Sequence, residues 1–212
     1  MRGIKLIIFD LDGTLVDAYD AIVSSFNYTM RKLKANQQNA CVIRRAVGWG
    51  DENLLKPFIK EGDLKKALLV YRGHHKNALL KYSRLFPGVD GMLRNLKEKG
   101  YKLAVASNRP TKFSLILIRH LGLTKYLDYV LCADRLKQGK PNPEIMHRIL
   151  KKFSLRPTNA LYAGDMTVDA QAGRRAKIKT IIVTTGSSSR AEIEKEKPFL
   201  VITKITQLLK LL

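Results

Sequence analysis

The chain has 212 residues, 45% of them hydrophobic, enough for one ordinary domain with a sizeable insertion and a real core. Its 39 Lys and Arg outweigh 18 Asp and Glu for a formal charge of +21, yet the basic residues are dispersed, with no zinc-finger spacing and no RNA-binding signature, so specific nucleic-acid recognition is not expected. No stretch is apolar for long enough to cross a membrane, and the N-terminal apolar run is too short and too soon acidic for a signal peptide, which points to a cytoplasmic protein.

The first expected strand is KLIIF (5–9), and it runs directly into DLDGT (10–14). Wherever extended geometry persists, Asp10 and Asp12 project to the same side and crowd two like charges together. From about Ala18 to Leu85 the periodicity is helical with no convincing strand. AIVSSFNYTMRKL, DENLLKPFIKEG and LKKALLVYRGHHKNALLKY read as successive amphipathic helices. FPGV (86–89) marks the return to the core. GMLRNLKEKG then reads as a helix ending at Gly100, KLAVAS (102–107) as a strand, SLILIRHLGL as a helix ending at Gly122, and YVLCA (129–133) as a strand. PEIMHRILKKF is a helix with Asn142 as its N-cap and Pro143 at its first position, followed by the strands ALYAGD (160–165) and TIIV (180–183). Cys41 and Cys132 are too few and too far apart for a disulfide framework or a zinc site, and both are expected as packed thiols.

Strands alternating with helices imply α/β architecture: a Rossmann-like parallel sheet flanked by helices, here with an inserted all-helical cap. Its catalytic core would comprise residues 1–17 and 86–212, and its cap residues 18–85. In such sheets ligands bind at the carboxyl ends of the strands, near the point where strand order reverses. Polar residues stand at several of those ends. Asp10 and Asp12 follow the first strand, Ser107 and Asn108 close the second, and Asp165 closes the fourth, with Asp169 one helical turn on. Lys140 is delivered by the loop before PNPE. Carboxylates supply hard oxygen ligands that suit Mg²⁺, while a hydroxyl and an ammonium suit phosphate.

DLDGT, ASN, KPNP and GDMTVD, in this order and at these separations, identify the chain as similar to the haloacid dehalogenase superfamily, in its phosphatase branch with a helical cap after the first strand. The resemblance covers nearly the whole chain. It implies that Asp10 is a nucleophile forming an aspartyl-phosphate, and that Asp12 is the acid and then the base, the one carboxyl of the opening pair that carries a proton. Mg²⁺ would be held by the Asp10 carboxylate, the Asp12 carbonyl and the Asp165 carboxylate, with Asp169 supporting. Lys140 would neutralise charge, and Ser107 and the Asn108 amide would hold phosphoryl oxygens. The expected partner is a small phosphorylated metabolite, and the chain would act as a monomer or homodimer. The layout resembles phosphoglycolate phosphatases most. IVSSFNYTM also resembles the first cap helix of pyrophosphatases, and sugar or nucleotide phosphatases remain open. An isomerase like β-phosphoglucomutase is disfavoured because Ile22 stands where those enzymes carry a hinge histidine. A non-catalytic protein that binds polyanions through its charge is the competing class. In related capped phosphatases a glycine-containing turn faces the catalytic aspartate. AVGWGDE would supply it through Gly48, Trp49 and Gly50, with the indole moving to a drier setting on closure.

Overall fold

The structure, a computed structural model, describes residues 3–212. The first apolar run forms β1 (Leu6–Phe9), and the chain turns at Gly13, whose φ of +81° suits a residue without Cβ, into a two-residue strand β2 (Val16–Asp17). Four helices follow: α1 (Tyr19–Lys32), α2 (Ala40–Ala46), α3 (Asp51–Leu55) and α4 (Leu64–Tyr82). Their buried side chains, Phe26, Met30, Ile43, Leu55 and Tyr71 among them, form an apolar cluster of their own. The expected helix over 51–62 stops at Leu55 and tightens to a 3₁₀ turn over Lys56–Phe58. Pro57 has no N–H with which to continue the α ladder, although Lys56 before it keeps right-handed helical geometry. Strand β3 (Arg84–Leu85) pairs antiparallel with β2, so entry to and exit from the helical segment lie side by side.

Beyond it come α5 (Val89–Glu98), β4 (Lys102–Ser107), α6 (Thr111–His120), β5 (Tyr129–Cys132), α7 (Glu144–Phe153), β6 (Ala160–Gly164), α8 (Thr167–Arg175), β7 (Lys179–Val183), α9 (Arg190–Lys195) and β8 (Leu200–Ile202). Asn142 Oδ1 accepts from Glu144 N at 2.9 Å, the bond expected of a cap, although α7 itself begins one residue later than read. The six-stranded sheet is parallel, in the order β5-β4-β1-β6-β7-β8. Every residue of β1 is buried because both faces of the sheet are covered. Ile7 and Phe9 pack with α5 and α6, whereas Leu6 and Ile8 pack with α7 and α8. Since β4 lies on one side of β1 and β6 on the other, strand order reverses beside β1, and a crevice opens at the carboxyl ends of these three strands. Cys132 is buried as expected, but Cys41 is exposed on α2.

Candidate active site

Asp10 follows β1 directly, and its backbone N–H donates to the Ala163 carbonyl of β6 at 2.8 Å, which fixes its carboxylate at the crevice. Lys140 Nζ, 5% exposed, donates to Asp10 Oδ1 at 2.5 Å, to Asp169 Oδ1 at 2.7 Å and to the Tyr162 hydroxyl at 3.1 Å. Tyr162 in turn donates to Asp169 Oδ1 at 2.6 Å. The other oxygen of Asp169 accepts from Asp165 N at 3.1 Å and Met166 N at 3.0 Å, capping α8. Asp169 is therefore saturated by the protein. Asp165 is not: Oδ1 accepts from Thr14 Oγ1 at 3.0 Å, but the buried Oδ2 has no partner.

Carboxylate oxygens of Asp10, Asp165 and Asp169 all lie within 4.8 Å of one another, and all three residues are buried. Burial raises the Asp10 carboxyl to about 7 against the pull of Lys140, with Asp169 adding to the rise. Burial, then Asp10 and Asp169, also push Asp165 well above the usual carboxylate range. Burial alone would lower the Lys140 ammonium, but Asp10 and Asp169 outweigh it and hold the proton on. With all three ionised, the carboxylates facing one ammonium would be two positive charges short, which is what opposes their ionisation while no cation is bound. The unpaired Asp165 Oδ2 lies against Gly13 and Gly186, where any Cβ would strike it. This hard-oxygen cluster with an orphaned ligand atom fits a divalent cation.

Asp10 and Asp12 do not crowd each other as extended geometry would require. The strand ends at Phe9, and while Asp10 faces Lys140, Asp12 turns to Arg109, whose Nε and Nη2 reach its two oxygens at 2.7 Å each. This two-pronged pair engages both oxygens of Asp12 in this structure. Arg109, 8% exposed, also places Nη1 2.5 Å from His75 Nε2 on α4. Ser25 Oγ donates to Ala21 O at 2.8 Å and lies 3.0 Å from His75 Nδ1. That makes Nδ1 the protonated nitrogen and leaves Nε2 to accept from Arg109. Burial, then Arg109 and His74, lower His75 well below its ordinary 6.5.

Ser107 lines the same cleft, its Oγ accepting from Arg109 N at 3.1 Å. The Asn108 carboxamide is engaged as a tie: Oδ1 accepts from Lys140 N at 2.8 Å, and Nδ2 donates to Lys140 O at 3.0 Å and Gly48 O at 2.9 Å. Gly139 permits this approach, since a Cβ there would come 2.6 Å from Asn108 Oδ1. Gly48 and Gly50 line the cleft with Asp51 and Tyr71. Trp49 between them is not brought to it: its indole, 45% exposed, lines a separate outer groove beside Arg45 and Glu192. Sequence reasoning missed Arg109, His75 and Tyr162. Arg109 directly follows Ser107 and Asn108 in the sequence, but nothing local marks His75 or Tyr162 as reaching the site.

The model of the haloacid dehalogenase-like hydrolase family matches residues 7–183. A phosphoglycolate phosphatase of Rhodobacter capsulatus is 34% identical over 186 residues, which cover 85% of this chain and 84% of that protein. The pyrophosphatase PpaX of Bacillus cereus is 28% identical over 213 residues, covering 99% and 96%. A crystal structure of a predicted phosphoglycolate phosphatase from Haemophilus somnus superposes with a TM-score of 0.93 at 28% identity, over 100% of this chain and 99% of that one. Sheet order, the acidic crevice and these likenesses agree, and the chain belongs to the haloacid dehalogenase-like hydrolase family.

Proposed function

We propose that the protein is a phosphatase that hydrolyses a small phosphate monoester of the phosphoglycolate kind through an aspartyl-phosphate on Asp10. The observation that carries this is the crevice itself: a buried carboxylate at the end of the central strand, held by one lysine and faced by an orphaned carboxylate oxygen. Asp10 and Asp165, with the Asp12 carbonyl, would hold a divalent cation, Mg²⁺ by the hardness of its ligands, with Asp169 in support. Bound there, the cation would cancel the repulsion between Asp10 and a phosphate dianion. Asp10 attacks phosphorus while the bond to the leaving oxygen breaks, and Asp12 protonates that oxygen. As a carboxylate, Asp12 then takes a proton from the water that releases phosphate from Asp10. For the first transfer its pair with Arg109 must open. Ser107 and the backbone around Asn108 would hold phosphoryl oxygens, and Lys140 holds Asp10 in place and offsets its charge.

Residues 18–85 serve in this reading as a cap over a core of 1–17 and 86–212, with Gly48 and Gly50 facing the leaving group. No helix among the described residues is long and apolar enough to cross a membrane, in keeping with a soluble metabolite as substrate. The test is phosphate release from p-nitrophenyl phosphate, expected to need Mg²⁺ and to stop with EDTA. A panel of phosphoglycolate, pyrophosphate, sugar phosphates and nucleotides follows. Release indifferent to EDTA would overturn the mechanism, and a preference for pyrophosphate would replace the substrate with that of the pyrophosphatase relatives.

A further inference from the structure

Among the described residues four buried side-chain polar atoms have no partner: Tyr19 Oη, Ser83 Oγ, Ser114 Oγ and Asp165 Oδ2. Two of the four meet at one place. A Cβ on Gly13 would lie 3.0 Å from Tyr19 Oη and closer still to Asp165 Oδ2, so both unpartnered atoms converge on this glycine. They make no hydrogen bond to each other. Tyr19 is 4% exposed, and its ring sits in the apolar cluster of the helical segment with the Arg44 guanidinium 4.7 Å from the ring centre. The ring thus belongs to the insertion while the hydroxyl reaches the edge of the sheet. A phenol hydroxyl can both donate and accept a hydrogen bond.

A buried hydroxyl without a partner is costly, and so is a buried carboxylate oxygen. A hydrated cation held at Asp165 would offer a partner to each. A neutral phenol is a poor direct ligand for a hard cation, but Mg²⁺ keeps several of its waters when bound by carboxylates. We propose that Tyr19 is a positioning residue of the cation site, its hydroxyl hydrogen-bonding to the cation's water shell beside the Asp165 carboxylate. This rests on the cation site proposed above. It also ties that site to the first residue of α1, so the position of the helical segment bears on how well the cation is held.

The test is binding of Mn²⁺ to the substrate-free protein, followed by electron paramagnetic resonance of the unbound ion, in wild type, Tyr19→Phe and Asp165→Asn. Thermal unfolding in chelator is measured alongside. Outer partners of metal ligands typically carry about ten- to a hundredfold in affinity. Tyr19→Phe should bind Mn²⁺ about tenfold more weakly, while in chelator it should unfold at the wild-type temperature or above it, because the variant removes an unsatisfied buried hydroxyl. Affinity equal to wild type would overturn the proposal. So would weaker binding accompanied by lower stability in chelator, which would assign Tyr19 to packing. Failure of the wild type itself to bind, with Asp165→Asn indistinguishable from it, would fell the cation site and this role together.

Discussion

The floor and the mouth of the crevice are built differently. On the floor, Asp10 follows β1, Tyr162 lies in β6, Asp165 follows β6 and Asp169 stands in the first turn of α8, and Lys140 ties Asp10, Tyr162 and Asp169 together at 2.5–3.1 Å. At the mouth, the contacts join the core to the helical segment: Arg109 to His75, Asn108 to Gly48, and Arg45 to Glu192 across the outer surface. The floor is carried by adjacent strands of one sheet, whereas every mouth contact is between the core and a segment whose chain enters and leaves through the paired strands β2 and β3. The difference separates the two parts by what holds them: the floor by contacts around two adjacent strands, the mouth by a few hydrogen bonds and by packing such as that of His75 on Phe113 and of Ala78 and Leu79 in the sheet's core cluster. If the helical segment acts as the proposed cap, opening it would break the mouth contacts and leave the floor's own in place.

Substitution of Asp10 by Asn is the largest break, because it removes the nucleophile from the floor. Turnover should fall by about four powers of ten or more on every substrate, with the circular dichroism spectrum unchanged. Activity within about tenfold of wild type, once contaminating phosphatase is excluded, would take the chemistry away from Asp10. Asp12→Asn strikes the junction of floor and mouth, and its cost should depend on the leaving group. An alkyl phosphate needs the proton and should lose about 10²–10⁴-fold, whereas p-nitrophenyl phosphate, with its good leaving group, should lose less in the first step. Equal losses measured on the two substrates would remove Asp12 from the role of acid. Asn108→Ala acts on the mouth, cutting the tie between Gly48 and the Lys140 backbone. It should lower kcat/KM by about tenfold through misplacement alone, and leave Mn²⁺ binding to the floor unaltered. A parallel loss of metal affinity would show that floor and mouth are one unit.

How far the sequence revealed each part follows the same division. Two of the floor's residues, Asp10 and Asp165, are visible because apolar runs end in polar ones, and an apolar run marks its own strand: KLAVAS is β4 residue for residue. Tyr162 escapes because a tyrosine within a strand reads as core until its hydroxyl partners are seen. The mouth escapes almost wholly. Arg109 and Asp12 are 97 residues apart and Arg109 and His75 are 34 apart, so neither pairing leaves a local trace. Trp49 was readable as a residue on a turn between glycines, but which way the indole faces is set by the docking of the helical segment. Short elements fail for a related reason. The three residues of β8 at the sheet edge and the seven of α2 are too few to show a period.

The smallest expected effect concerns the pH dependence of the mouth. His75 is 1% exposed, and burial, then Arg109, depress it well below its ordinary 6.5, so the folded protein holds it neutral where the unfolded chain would bind a proton. Below about pH 6.5 the unfolded state therefore takes up more protons than the folded one, and stability falls as pH falls, by at most about 1.4 kcal/mol per unit for this one group. His75→Gln cannot titrate and should lose that share of the slope. Urea unfolding at pH 7 and pH 5.5 should show the stability gap between wild type and variant moving by about 1 kcal/mol in the variant's favour at the lower pH. His74 on the same helix is also depressed by burial and by Arg31, but it is present in both proteins and cancels in the comparison. A gap constant across this range would mean that His75 meets a proton without cost, and that its contact with Arg109 is not a closed part of the mouth. A gap that moves as stated, with Mn²⁺ affinity at neutral pH the same in both proteins, would place the pH sensitivity in the mouth and leave the floor out of it.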